Sequence, residues 1–252
     1  MTSSDYIGLV TVRTSSTRLP EKCLLSFGEG NVISHVVKRA VSYGIRPIIC
    51  TSIDPSDDIL ENIARELNVE CFRGSMKNKL KRWFDCAEKF NIECFHTIDA
   101  DDPFFDPVTI KKSLLKCAAN NDIIFPSKVS RAGGASEGYS FSFKAIEKLN
   151  KIIIQINKNN SNIDTEMIER FIDHKIFKIK VLEGSNYEIK KARLTLDYEE
   201  DYEMLSRVRD LCGNFTPRKK INDFLKKNRN ILNINFFRND DWEKKQKILL
   251  KI

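Results

Sequence analysis

The 252-residue sequence predicts an α/β fold: a mostly parallel central sheet with helices on both faces. Three observations lead there. Short apolar runs alternate with amphipathic helical segments through the first half of the chain. Several of those runs end in clusters of charged or hydroxyl residues, where open α/β sheets bind their ligands. Hydrophobic content of 41% and charged content of 31% are those of a globular domain with its own core rather than of a disordered chain.

The elements follow in order. Strands are predicted at residues 7–12, 47–51, 70–73, 94–98 and 123–126. Helices are predicted between them at 32–43, 57–67, 77–90 and 107–118. The second helix opens on the acidic cluster Asp54-Pro55-Ser56-Asp57-Asp58, ahead of Ile59, Leu60, Ile63, Ala64 and Leu67. Asp106 followed by Pro107 is a capping Asp with Pro at the first helical position. From residue 127 the rhythm changes. A Gly-rich loop over 131–138 precedes Tyr139-Ser140-Phe141-Ser142-Phe143, whose strict alternation predicts a half-buried strand. A helix is expected at 145–149, a polar loop at 157–162, a helix at 163–173 and a strand at 175–182. A strand at 192–197 then leads into an amphipathic helix at 199–211. Two last helices, near 220–227 and 240–250, read as peripheral.

Composition excludes several classes. No stretch is apolar for long enough to span a bilayer. The first residues, Met1-Thr2-Ser3-Ser4-Asp5, lack a signal peptide's basic and apolar regions, so a cytoplasmic location is expected. Seven cysteines without a CxxC pair argue against a disulfide framework and a structural zinc site. The net charge of +7 comes from 42 Lys+Arg against 35 Asp+Glu, but the lysines are scattered. The excess therefore reads as an attraction for small anions, and nucleic acid is not expected as a partner.

Three segments carry chemistry. The first strand runs into Val12-Arg13-Thr14-Ser15-Ser16-Thr17-Arg18-Leu19-Pro20-Glu21-Lys22. Arg13, Arg18 and Lys22 supply positive charge, and the hydroxyls and loop amides supply donors for phosphate oxygens. The run is neither GxxxxGK[ST] nor GxGxxG, so a solvated Ser/Thr-rich turn fits it as well. The second segment, Asp99-Ala100-Asp101-Asp102, gathers carboxylates at a buried strand's end, where Mg²⁺ with oxygen ligands would relieve their repulsion. The third, Thr195-Leu196-Asp197-Tyr198-Glu199-Glu200-Asp201, is again a strand ending in an acid before a helix. Asp101 and Asp197 from separate strand ends, opposite a cationic loop, make a metal–triphosphate site.

The order strand–VRTSSTRLPEK, then CTS, then FRGS, then DADDPFFDP, then TLDYEED resembles the cytidylyltransferase superfamily of CMP-KDO and CMP-acylneuraminate synthetases, and most nearly its spore-coat polysaccharide (SpsF-type) branch. The resemblance implies a single Rossmann-like nucleotidyltransferase domain over 1–252. Residues 1–126 would bind nucleotide, 127–192 would serve acceptor binding and dimerisation, and 193–252 would close the fold. It implies CTP-dependent transfer of CMP to an acidic sugar of the 3-deoxy-2-keto acid type, with pyrophosphate released, for surface polysaccharide or glycoconjugate biosynthesis. The expected partners are CTP, Mg²⁺, a small acidic acceptor and a second copy of the chain. Activation of a phosphonate or sugar phosphate, or a non-catalytic binding role, are the alternatives.

On matching positions, Arg13, Ser15, Ser16, Arg18 and Lys22 would hold the triphosphate, with Val12, Thr14 and Ala100 beside them. Thr51, Ser52, Arg73, Gly74 and Ser75 would contact cytosine and ribose. Asp101 and Asp197 would bind Mg²⁺, and Arg13, Arg18, Lys22, Asp101 and Asp197 would carry catalysis. Glu137-Gly138 and Asp164-Thr165-Glu166 would face the sugar, and Lys128 and Arg131 would receive its carboxylate. Phe141, Phe143 and 175–182 are candidates for the dimer interface, with burial in the core as the competing reading for the aromatics. Glu21 stands where relatives usually have Gly, which puts a carboxylate beside the phosphate loop.

Overall fold

The computed structural model describes residues 6–127, 137–157, 164–189 and 192–249. In chain order it contains β1 (Ile7–Thr11), α1 (Val32–Ser42), β2 (Arg46–Ser52), α2 (Asp58–Glu66), β3 (Glu70–Gly74), α3 (Lys79–Lys89), β4 (Cys94–Asp99), α4 (Pro107–Ala118), β5 (Ile123–Phe125), β6 (Ser140–Ser142), α5 (Phe143–Asn157), β7 (Ile179–Val181), α6 (Glu199–Cys212), α7 (Arg218–Lys227), α8 (Arg229–Leu232) and α9 (Arg238–Leu249).

The seven strands form one sheet in the order β3-β2-β1-β4-β6-β5-β7. Every pairing is parallel except the two made by β6. Register places Leu9 between Ile48 and Thr97 within the sheet, and helices cover both faces, so the central strands read as continuous apolar runs. Alternate residues then serve opposite faces. Leu9, Ile48, Phe95 and Phe141 pack against Leu80, Trp83 and Ala87 of α3 and Ile146, Leu149 and Ile153 of α5. Val10, Ile49 and Ile98 pack against Val36 and Ala40 of α1, Leu60 and Ile63 of α2, and Ile110 and Leu114 of α4.

Side-chain caps set the helix starts. Asn31 accepts from Ser34 N, Asn78 from Lys81 N and Asp106 from Val108 N. The acidic cluster before α2 divides its work. Asp54 caps a single turn, whereas Asp57 is buried and accepts from Thr14 and Ser52.

Four predicted elements differ. Residues 192–197 form no strand: Leu194 and Leu196 turn into a third core, and Leu196 N bonds Asp101 O at 2.7 Å. Their alternation records two different environments, core and site, rather than a ladder. The predicted helix at 163–173 is reduced, among its described residues, to a 3-10 turn at Ile168–Phe171. Asp164 Oδ1 takes Glu166 N at 2.7 Å, and Thr165 Oγ1 takes Leu80 N of α3 at 3.2 Å, so local and capping bonds displace the helical ones. The helix expected at 145–149 runs the whole of α5, and the strand at 175–182 contracts to β7.

The helix expected near 220–227 is not peripheral, because α7 joins a core with α6 and α8. Met204, Leu205 and Val208 of α6, Ile221 and Leu225 of α7, and Leu232 of α8 enclose Phe27, Phe104, Leu194 and Leu196 in the third core. Phe141 is fully buried in the interior, whereas Phe143 is half-buried and packs on Phe84 at 5.8 Å. Of the predicted loops, 128–136 and 158–163 lie outside the described residues, and Lys128 and Arg131 with them.

Candidate active site

A cavity of about 1080 Å³ opens at the C-terminal ends of β1 and β4. There the strand order reverses, because β1 is flanked by β2 on one side and β4 on the other. Parallel strands deliver Thr11 and Val12, and Asp99 and Ala100, to the same rim.

Lys22 is the hub. It follows a turn in which Glu21 takes the left-handed conformation (φ 51°) that Gly adopts most easily; the Glu21 residue itself is exposed and does not line the cavity. Lys22 Nζ lies 2.6 Å from Asp101 Oδ2, 2.9 Å from Asp197 Oδ1 and 2.8 Å from Leu196 O. Burial works against the ammonium, but the two carboxylates outweigh it and raise its pKa above the ordinary lysine value. Arg18 adds a second cation on Asp197, 2.7 Å from Oδ1. Asp197 is desolvated, yet Lys22, Arg18 and Arg193 hold its pKa below the usual carboxylate range.

Behind Asp197 stands Arg193, which is fully buried. It donates to both oxygens of Asp201 at 2.7 and 3.0 Å and to Asp197 Oδ2 at 3.1 Å. Asp201 also accepts from Asp197 N, Tyr198 N and Asn235 Nδ2. This network fixes the loop that carries Asp197 to the first turn of α6.

On the opposite wall, Arg13 Nη1 reaches Met76 O at 3.2 Å and its Nη2 lies 3.3 Å from Glu166 Oε2. Lys79 Nζ is 3.4 Å from Glu166 Oε1 and 5.3 Å from the centre of the Trp83 ring. Burial disfavours the Lys79 charge, while Glu166 and Asp99 favour it and raise its pKa. Asp99 is pushed up to about 6 by burial, opposed by Lys79 and reinforced by Asp101. Asp99, Asp101 and Asp102 each bring an oxygen within 4.8 Å of the others.

The predicted residues separate by position. Val12, Arg13, Ser15, Ser16, Arg18, Lys22, Ala100, Asp101 and Asp197 line the cavity together. Thr14 lies behind it: Oγ1 bonds Asp57 Oδ1 at 2.8 Å and Ser56 O at 3.1 Å. Thr51 and Ser52 are fully buried in β2, and Ser52 bonds Asp57. Arg73 serves the β2–α2 connection, with bonds to Ser52 O and Asp54 O and an ion pair to Asp58. Gly74 is where it is because a Cβ would meet Phe72 at 2.7 Å and Arg82 at 3.0 Å. Ser75 Oγ accepts from Asn78 N as α3 begins. None of these six lines the cavity.

Sequence reasoning missed Lys79, Arg82 and Trp83 on α3, Tyr139, Glu169, Trp242 and Arg193. A signal existed for α3. Arg82 shares the buried face of its helix with Trp83 and Cys86, and a charged residue there needs a polar destination. Arg193 had a similar signal, since it alternates with apolar Ala192 and Leu194 and lies four residues from Asp197.

The sequence profile of the cytidylyltransferase family matches residues 7–231. This chain belongs to that family. The cytidylyltransferase is 28% identical over 237 residues to an uncharacterized protein of Methanocaldococcus jannaschii, with 91% of this chain and 93% of the other covered. It is 24% identical over 227 residues to the spore coat polysaccharide biosynthesis protein SpsF of Bacillus subtilis, covering 83% and 88%. A solved cytidylyltransferase structure from Leptospira borgpetersenii superposes with a TM-score of 0.75 at 22% identity, covering 91% and 97%. The α/β fold and the CTP-using nucleotidyltransferase class of this enzyme are thereby shown.

Proposed function

We propose that the enzyme transfers CMP from CTP to a sugar acid, releasing pyrophosphate, in surface polysaccharide or glycoconjugate biosynthesis. The observation that carries this reading is the convergence of Asp101 and Asp197 on the Lys22 ammonium, with Arg18 beside them, at the sheet's switch point. The named role of SpsF and the family resemblance support the pathway and the acceptor class.

An acceptor oxygen attacks the α-phosphorus in line and pyrophosphate leaves. Lys22 and Arg18 take up the negative charge of the departing pyrophosphate, and Arg13 reaches the phosphates from the α3 wall. Lys22 stays protonated because two carboxylates hold its charge, so it serves as a fixed cation and not as a base. Asp101 and Asp197 flank Lys22 with hard carboxylate oxygens, and Asp99 and Asp102 bring further oxygens within 4.8 Å of Asp101, a donor set that would suit Mg²⁺ beside the ammonium. When bound there, the ion supplies polarisation of the α-phosphate. Ser15 and Ser16 line the phosphate side of the cavity and supply neutral donors. Self-association in a homodimer would use the outer edge of β7, where Val181 is exposed, and not the buried Phe141.

A thermal-shift panel of CTP, UTP, GTP, ATP and dTTP, each with and without Mg²⁺, tests the donor. A ligand at about a hundred times its Kd stabilises by about 2.7 kcal/mol. A Mg²⁺-dependent shift with CTP alone supports the reading; a shift with another nucleotide changes the donor, and no shift removes the site.

A further inference from the structure

Lys22 and Lys79 line one cavity but are satisfied very differently. Lys22 makes three contacts between 2.6 and 2.9 Å. Lys79 makes one long contact, 3.4 Å to Glu166 Oε1, and otherwise lies over the Trp83 ring. A lysine ammonium carries three donors, and tight charged bonds measure about 2.7–2.9 Å. Among the described residues, then, Lys79 is a cation on the cavity wall with donors to spare.

Its counter-ion faces solvent. The Glu166 side chain is 54% exposed, against 14% for Lys79. Thr165 beside it is fully buried and bonded to both Leu80 N and Asn78 Oδ1 at the start of α3. That staple fixes the backbone of the segment while the carboxylate it carries can rotate outward. Glu166 also occupies Arg13, which the phosphates claim in the reading above.

With Arg13 on phosphate and Glu166 turned to solvent, the α3 wall keeps Lys79 and Arg82 in the cavity lining, with Lys79 acting on Asp99. Arg82 is buried and committed by Nη1 to Ser75 O at 2.8 Å. With Glu166 turned away, Lys79 presents one ammonium with free donors to the cavity, and a carboxylate is the group that pairs with it most directly.

We propose that Lys79 is the receptor for the acceptor's carboxylate, which displaces Glu166 from it. The assignment rests on the cytidylyltransferase reading and names the residue that selects the acid. Glu166 is then an internal competitor that occupies Lys79 until the acceptor arrives.

The test is calorimetric titration of the full-length protein with Mg²⁺ and the non-transferable α,β-methylene analogue of CTP already bound. The probes are 3-deoxy-manno-octulosonate, N-acetylneuraminate and, as a neutral control, mannose. The expected result is that at least one acid binds and mannose does not. Relative to its affinity for the analogue, K79M should lose about ten-fold or more in acid affinity, K79R should retain most of it, and E166Q should tighten it. Opposite signs for K79M and E166Q would not arise from a purely structural role for the ion pair. Equal acid binding by K79M and wild type overturns the proposal. So does binding of the analogue with neither acid, or with mannose as well as the acids; both leave the nucleotide reading standing. Failure of the analogue itself to bind would instead remove the reading on which the proposal rests.

Discussion

The Arg193 guanidinium joins Asp197 to Asp201: Nη2 lies 3.1 Å from Asp197 Oδ2 and 3.0 Å from Asp201 Oδ2. A buried cation thus sets the orientation of the carboxylate that meets Lys22. Arg193→Met should strand two buried carboxylates and cost about 3–5 kcal/mol of stability, read by chemical denaturation. Arg193→Lys keeps the charge but cannot hold the paired geometry, so it should lower kcat further than its loss of stability explains. A fully active, fully stable R193M would remove the positioning role.

Asp101→Asn should cut turnover by about a hundred-fold or more while the melting curve stays native, because Asp101 sits on the cavity wall and not in the core. Unaltered activity would end its assignment as a metal ligand.

Arg18→Ala should act mainly on CTP binding. Its guanidinium is one-third exposed and reaches the site through Asp197, so the fold does not depend on it. Titration of CTP should show a weaker Kd, and an unchanged value would count against a phosphate role.

Gly138→Ala should destabilise the protein by more than about 2 kcal/mol. Gly138 has φ +72°, and a Cβ there would stand 1.9 Å from the backbone oxygen of Thr97. A native melting temperature for G138A would show that the β4–β6 rim can relax.

The fold should also weaken as acid protonates His96. Burial lowers its pKa to about 4 from an ordinary 6.5. Its Nε2 donates to Glu137 O, which leaves Nδ1 to accept from the Ser140 hydroxyl, itself bonded to Ser113. Below 6.5 the unfolded state binds the proton first, so stability falls between pH 6.5 and about 4, by on the order of 3 kcal/mol from this group, and no further below. H96Q should flatten denaturation midpoints across that window relative to wild type.

Much of this was legible from local pattern. Leu9/Val10 and Ile48/Ile49 name the two faces of the sheet, and the Asp106-Pro107 cap starts α4 where its chemistry requires. Arg18, Lys22, Asp101 and Asp197 were readable because each ends or follows an apolar run. What escaped was whatever depended on distant partners. Thr14 looks like a phosphate donor until Asp57, 43 residues later, captures it. Residues 192–197 alternate like a strand because one side meets α6 and α7 and the other meets Lys22. Lys79 and Arg82 sit on a helix whose periodicity reports only its packing, not the cavity beyond its first turn.

The third core has a consequence for the order in which this enzyme becomes competent. Lys22 and Asp101 are 79 residues apart, whereas Lys22 and Asp197 are 175 apart. Sequence-distant contacts are the slow ones to form, and chains fold from the N-terminus as they are synthesised. The sheet can therefore assemble on a ribosome-bound chain that still lacks the second acid and the third core that packs Leu19 and Phe27 behind the phosphate loop. Asp197 arrives only with the segment that α6, α7 and α8 seal in place, so closure of the C-terminal third acts as the maturation step of the active site.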